Sequence, residues 1–229
     1  MSKLDSLDRI KQIGVIPAIR VSNIHRALRA AAAIQQGGIP IIEVSLIPPD
    51  AAEVLQALAA EHGQSILLGA GSVIDAEGVR RSVSAGAQFI VTPGFSPEAV
   101  AKAQELNVAM LAGALTPTEV QVAHASGADA VKLFPVFSSG GTRYLKALRG
   151  QYPDTDFIAS GGVGLENCAD YIRAGAVAIG VGGEIADAES MAAGDYRVFT
   201  VRAKRLFEAV RSARSWMEES ASLNVGEAR

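Results

Sequence analysis

The sequence predicts an α/β fold, a (β/α)8 barrel of the TIM type in a single domain. Three observations carry that prediction. Eight short apolar runs alternate with amphipathic stretches along the whole chain. The runs are continuously apolar rather than alternating, which suits strands covered on both faces of a parallel sheet. The chain has 229 residues, and a barrel of this kind takes about 250.

The opening "MSKLDSLDRIKQ" is polar and helical in pattern, with no signal-peptide core. Eight strands follow: "GVIPAIR" (14–20), "PIIEVSL" (40–46), "SILLGAGSV" (65–73), "FIVTPG" (89–94), "VAMLAGAL" (108–115), "AVKLFP" (130–135), "DFIASGGV" (156–163) and "AVAIGVGGEI" (176–185). Each is rich in Val, Ile, Leu or Ala and ends in turn-forming or small residues. Helix patterns fill the gaps: "HRALRAAAAIQQGG", "PDAAEVLQALAAEHG", "AEGVRRSVSAGA", "SPEAVAKAQELN", "TPTEVQVAHASGA", "GTRYLKALRG" and "LENCADYIRAGA". Several begin at Asp, Ser, Thr or Pro and end near Gly, the usual asymmetry of helix ends. After the last strand, "ADAESMAAGDY" reads as a loop, and "YRVFTVRAKRLFEAVRSARSWMEES" as the closing helix. The expected layout is one domain over 1–229, with the barrel over about 8–186 and the closing helix over about 195–220. An open doubly wound sheet would want a glycine fingerprint after its first strand. That position reads "IRVSN", so the barrel is preferred.

Composition excludes several functions. Net charge is −3, which suits neither nucleic acid nor an acidic membrane surface. No apolar stretch approaches the roughly 20 residues of a membrane span. A single cysteine, Cys168, allows no internal disulfide and fits a reducing compartment. A soluble, cytoplasmic protein is expected. His25, His62 and His124 all fall in helix patterns without ligand spacing, so no metal is expected. Cys168 and the aromatics of the closing helix, Trp216 among them, read as packing residues.

Function in such a barrel gathers at the C-terminal ends of the strands. The polar residues there are Arg20, Glu43, Ser45, Ser72, Thr92, Thr116, Lys132 and Ser160, with the glycine pairs 161–162 and 182–183. Of the six lysines, only Lys132 lies in a strand. It is either half of a structural ion pair or a nucleophile. Burial disfavours an ammonium ion, so the free amine becomes available to form a Schiff base with a carbonyl substrate. Glu43, between Ile42 and Val44, is equally out of place in its strand. It can neutralise the lysine, move protons for it, or do both. The glycines after strands seven and eight occupy the usual phosphate position of this fold, or simply make tight turns.

"GGIPIIEVSL", "LLGAGSVIDAEGVRRSVSAGAQFIVTPG", "TPTEV", "VKLFP" and "ASGGV", in this order, resemble the bacterial 2-keto-3-deoxy-6-phosphogluconate and 4-hydroxy-2-oxoglutarate aldolases, over about residues 8–186. The resemblance implies a class I pyruvate aldolase, a homotrimeric barrel without metal or cofactor acting on a small keto acid. It would reversibly cleave 2-keto-3-deoxy-6-phosphogluconate to pyruvate and glyceraldehyde 3-phosphate, and also take 4-hydroxy-2-oxoglutarate. By resemblance Lys132 is the Schiff-base lysine and Glu43 the acid/base. Arg20 and Ser72 lie near the pyruvate carboxylate, and Pro93 and Phe134 line the pocket. Ser160 replaces a threonine. Gly161, Gly162, Gly182 and Gly183 hold phosphate. Other positions also depart from the family pattern: Ile47 stands where many members have arginine, and Gly183, followed by Glu184, where a serine is common. Two alternatives stay open, a 2-keto-3-deoxy-6-phosphogalactonate aldolase and a phosphate-barrel isomerase or epimerase.

Overall fold

The computed structural model describes residues 2–48 and 50–227. Eight parallel strands close on themselves in sequence order: β1 (Val15–Ile19), β2 (Ile41–Ser45), β3 (Leu67–Gly71), β4 (Phe89–Val91), β5 (Ala109–Ala114), β6 (Ala130–Leu133), β7 (Phe157–Ser160) and β8 (Ala176–Val181). Closure is made by β8 on β1, with Ile179 opposite Val15 and Val181 opposite Pro17. Each strand lies inside the run that predicted it. Nearly every strand residue is buried, which explains the absence of apolar–polar alternation.

The helices are α1 (Lys3–Ile13), α2 (Ile24–Gln36), α3 (Ala51–His62), α4 (Ala76–Ser84), α5 (Pro97–Glu105), α6 (Pro117–Ala125), α7 (Gly141–Gln151), α8 (Cys168–Arg173), α9 (Ala188–Ala193) and α10 (Arg197–Glu227). Most starts are capped as the composition suggests. Asn23, Asp75 and Ser96 each accept a backbone N–H of the first turn, and Thr116 forms a reciprocal capping box with Glu119. The N–H groups of Thr116 and Leu115 hold the Glu119 carboxyl below the usual carboxylate range. No described helix is long and apolar enough to cross a membrane.

Two elements close the barrel. At its amino end, α1 pairs Lys3 with Asp129 at 2.8 Å and Lys11 with Asp156 at 2.5 Å. Those aspartates immediately precede β6 and β7, so α1 lies across the bottom. On the outside, α10 packs against α2 and α8, completing the helical ring. Thr200 donates to the Ala33 carbonyl at 2.9 Å, and Arg214 to the Val177 carbonyl at 2.7 Å.

The segment read as a loop after β8 contains α9. Asp187 accepts the Ser190 N–H at 2.8 Å and pairs with Arg202 of α10, and Gly194 ends the helix at φ 72°. Six residues are too few for periodicity to reveal. The closing helix also runs on to Glu227, since no proline follows Ser220 to stop it. Cys168 is buried, and burial pushes its thiol pKa up. Trp216 is not core: about half of it is exposed, with the Arg173 guanidinium 5.5 Å from its ring centroid.

Packing inside the barrel depends on missing side chains. A Cβ on Gly69 would stand 2.2 Å from the ring of Phe89, which is fully buried on the neighbouring strand. Gly69→Ala should therefore cost about 1–3 kcal/mol, the usual penalty of overpacking. Phe89→Leu should cost about 1–3 kcal/mol by itself but less in the Gly69→Ala background, because neighbours in contact do not add. Denaturant unfolding of the four-variant cycle measures both; strict additivity would contradict the contact.

Candidate active site

Lys132 on β6 and Glu43 on β2 project from opposite sides of the barrel and meet near its C-terminal end, Nζ to Oε1 3.7 Å. Their side chains are 12% and 6% exposed, so the pair is nearly enclosed yet reachable. The register shows how the space was made. Lys132 stands opposite Gly113 on β5 and Glu43 opposite Ala18 on β1 and Gly69 on β3. Two residues along β3, a Cβ on Gly71 would fall 1.9 Å from Glu43 Oε1. Only glycine lets that carboxylate occupy its present position. A Cβ on Gly113 would strike the Pro93 and Gly94 backbone at 2.5 Å, so the chain after β4 folds inward over β5.

Above the pair opens a cavity of about 430 Å³. All eleven residues expected at the site line it: Arg20, Glu43, Ser72, Pro93, Lys132, Phe134, Ser160, Gly161, Gly162, Gly182 and Gly183. The Lys132 Nζ lies 5.3 Å from the Phe134 ring centroid, a cation–π distance. Ser72 sits at φ 61°, the left-handed region that a non-glycine residue occupies only under constraint. Its hydroxyl is 3.1 Å from that of Ser45. Of the other polar strand-end residues, Thr92 accepts the buried Gly113 N–H at 2.8 Å and Thr116 caps α6; both serve the scaffold.

The two glycine pairs differ. Gly161 and Gly162 have φ of 83° and 73°. A Cβ on either would collide with Pro135 or Phe137, at 2.8 and 2.7 Å. This pair is fixed by the backbone and by the segment packed against it. Asn167 braces the loop, donating to the Gly162 carbonyl at 2.9 Å and accepting the Gly164 N–H at 3.0 Å. Gly182 and Gly183 have no positive φ, and nothing lies within 4 Å of the Cβ they lack. They leave open space. Glu184 runs along Gly164 at the rim of the cavity, its Cγ 3.2 Å from where a Gly164 Cβ would stand. Ile47 is exposed on the same rim.

Sequence reasoning missed Gly71, Gly180 and Asn167. A Cβ on Gly180 would lie 2.8 Å from the Ser160 hydroxyl, so it clears space for Ser160 as Gly71 does for Glu43. The signal was glycine inside an apolar strand, which marks a close approach. Asn167 lay unremarked in "LENCADYI". Among the described residues, no three His, Cys, Asp or Glu side chains cluster to hold a metal ion.

A closed (β/α)8 barrel whose cavity holds a lone strand lysine against a carboxylate defines a class I aldolase, a lyase that works through a Schiff base. The chain belongs to the KDPG and KHG aldolase family, whose model matches residues 7–201. It is 34% identical over 203 residues to the 2-dehydro-3-deoxy-phosphogluconate aldolase of Treponema pallidum, covering 89% of this chain and 96% of that one. It is 30% identical over 194 residues to the KHG/KDPG aldolase of Escherichia coli, covering 85% and 91%. Among solved structures it resembles the KDPG aldolase of Legionella pneumophila with pyruvate captured as a covalent carbinolamine. There the TM-score is 0.83 and the identity 28%, over 88% of this chain and 97% of that one. It equally resembles a native KDPGal structure, with TM-score 0.82 and 30% identity over 88% and 96%.

Proposed function

We propose that this chain reversibly cleaves 2-keto-3-deoxy-6-phosphogluconate to pyruvate and glyceraldehyde 3-phosphate, and also takes 4-hydroxy-2-oxoglutarate. The observation that carries the reading is the Lys132–Glu43 pair, 3.7 Å apart inside a cavity wide enough for a six-carbon acid. The Lys132 amine adds to the C2 carbonyl, and loss of water leaves an iminium. Glu43 takes the C4 hydroxyl proton, the C3–C4 bond breaks, and its electron pair flows into the iminium to give an enamine. The aldehyde departs. The protonated Glu43 returns its proton to C3, and water hydrolyses the iminium to pyruvate and free lysine.

Among the described residues, Arg20 is the one cation besides Lys132 on the cavity wall. With Ile47 carrying no charge, Arg20 and Ser72 hold the pyruvate carboxylate. Pro93 and Phe134 pack against the bound keto acid, and Ser160 supplies a hydroxyl beside it. The backbone N–H groups around Gly161, Gly162, Gly182 and Gly183 receive the phosphate. The working form is a cytoplasmic homotrimer. A second reading, cleavage of the galactonate epimer, is supported by Ile47 together with Arg20, the combination that resemblance to the 2-keto-3-deoxy-6-phosphogalactonate aldolases implies. Turnover on both C4 epimers decides between them.

Borohydride with pyruvate should add one reduced pyruvyl group, on Lys132, as read by peptide mass. Lys132→Met should fold and give no adduct, since methionine fills the same space without charge. An adduct on another lysine sinks the reading.

Glu43→Gln should slow aldol cleavage and deuterium exchange into the pyruvate methyl group by about 10²–10⁴-fold, the usual worth of general acid–base catalysis. Gly71→Ala, whose Cβ displaces that carboxylate, should slow the same exchange in the same direction. Exchange at wild-type rate in Glu43→Gln would reduce Glu43 to a counter-ion.

The phosphate ester should be preferred over the unphosphorylated acid, though Glu184 stands near its place. At a few ångströms that repulsion is worth about 1–4 kcal/mol. Gly183→Ser should lower KM for the phosphate ester alone, by adding a hydroxyl donor. A higher kcat/KM on the unphosphorylated acid would remove phosphate from the assignment.

A further inference from the structure

The stretch "SSGG" (138–141) leads from β6 into α7 and takes no part in the chemistry above. Gly140 and Gly141 have φ of 108° and 62°, a region that residues with side chains rarely adopt. With glycine as its N-cap, α7 begins without a side-chain cap. A helix satisfies none of its first-turn N–H groups from within, so those of α7 are left for another acceptor. No acidic residue stands in that first turn, and Arg143 there is exposed.

Beside this bare start lies an unused hydroxyl. Tyr171 of α8 is only 3% exposed, and its hydroxyl oxygen stands 3.4 Å from where a Gly141 Cβ would be. Apart from the chain of α7 itself, no other atom comes within 4 Å of that point. A buried tyrosine hydroxyl ordinarily finds a partner. Tyr144 and Tyr152 do, donating to the Leu115 and Pro117 carbonyls at 2.5 and 3.1 Å. Tyr171 has no such partner among the described residues: burial alone pushes its pKa up, with no hydrogen bond contributing. Every fully enclosed side-chain polar atom of those residues is partnered, so the Tyr171 oxygen keeps an opening to solvent. The phenol stays protonated at neutral pH and is a donor. The surroundings are preformed. Ser138 and Ser139 donate to the Pro135 and Val136 carbonyls at 2.9 and 3.1 Å, and the Phe137 N–H to the Gly161 carbonyl at 3.3 Å. Asp170, the carboxylate next to Tyr171, is paired with Arg173 at 2.9 Å.

We propose that the start of α7 and the Tyr171 hydroxyl form an anion site for a phosphate group, separate from the catalytic cleft. The free N–H groups, the positive end of the helix dipole, the Arg143 guanidinium and the phenol all call for a small, negatively charged acceptor. A phosphate group offers several acceptor oxygens and can take a phenol and backbone N–H groups together. None of Gly140, Gly141, Thr142, Arg143 and Tyr171 lines the cavity above Lys132. The site therefore stands independently of the aldolase reading.

The test is fluorine NMR of the enzyme labelled with 3-fluorotyrosine. The chain has four tyrosines, and the signal absent from Tyr171→Phe belongs to Tyr171. Inorganic phosphate, titrated at constant ionic strength, should move that signal to saturation. Thr142→Asp puts a negative charge in the first turn while favouring the helix start. It should weaken the titration midpoint at least about tenfold, the scale of a charge-assisted hydrogen bond lost, whereas Thr142→Asn should not. Arg143→Glu, at an exposed position, should weaken it likewise and replaces Thr142→Asp if that variant fails to fold. Glycerol 3-phosphate is titrated separately. A tighter midpoint than that of inorganic phosphate assigns the site to phosphorylated metabolites, and an equal or weaker one to free phosphate. Tyr171→Phe should keep the aldol kcat/KM of wild type. A Tyr171 signal that neither anion moves overturns the site, as does one that titrates equally in wild type and Thr142→Asp. Loss of aldol activity in folded Tyr171→Phe would put the hydroxyl in the catalytic cleft and overturn a separate site.

Discussion

The contact between Lys132 and Glu43 is the constraint around which this barrel is built. Two opposite charges 3.7 Å apart and almost out of water have lost hydration that their mutual attraction only partly restores. Well-packed apolar residues would serve stability as well or better. The pair therefore has to be maintained by the rest of the structure. The fold does this by placing the two residues on β2 and β6, opposite one another in a ring of eight. Each charge reaches the axis from a rigid strand, and neither depends on a loop for its position.

Three of the four residues that face the pair in register are glycine or alanine, on β1, β3 and β5; the fourth is Ile158 on β7. Gly71 gives Glu43 the one place where its carboxylate fits. The same economy appears at Gly180 beside Ser160. These glycines weaken their strands, since glycine loses most entropy on folding and packs nothing. Phe89, fully buried on β4, offsets that in part: its ring fills the space that Gly69 leaves on β3. Function and packing are thus settled together, with space given up beside the charges filled a strand away.

What could be read from the chain follows from the length scale of the signal. Strands buried on both faces announce themselves as unbroken apolar runs, so all eight were legible. Lys132 and Glu43 were legible because a charge inside such a run is chemically out of place. Shorter or purely geometric features were not. The six residues of α9 carry a cap at Asp187 but too few turns to show a face. Trp216 lies on a helix whose buried stripe, through Val210 and Ala213, passes it by. Gly71 and Gly183 look alike in sequence. In space the first is a clearance for Glu43, and the second borders empty volume. Only coordinates distinguish a glycine that avoids a clash from one that leaves a vacancy.

That distinction separates the chemistry of this enzyme from its choice of substrate. The residues proposed to carry the reaction, and the glycines that make room for them, lie on strands in the barrel interior, where substitution disturbs packing or leaves a charge unpaired. Ile47, Gly183 and Glu184 all follow a strand end and are exposed. Changes at such positions usually shift stability by less than about 0.5 kcal/mol. The departures from the family pattern at 47, 183 and 184 fall in this second set, whereas the conservative one at Ser160 stays on β7. Selection can therefore alter the rim of the cleft with little effect on folding or on the Lys132–Glu43 pair. A barrel that holds its charges on strands and its selectivity beyond them can keep one bond-breaking reaction while the aldehyde half of its substrate changes.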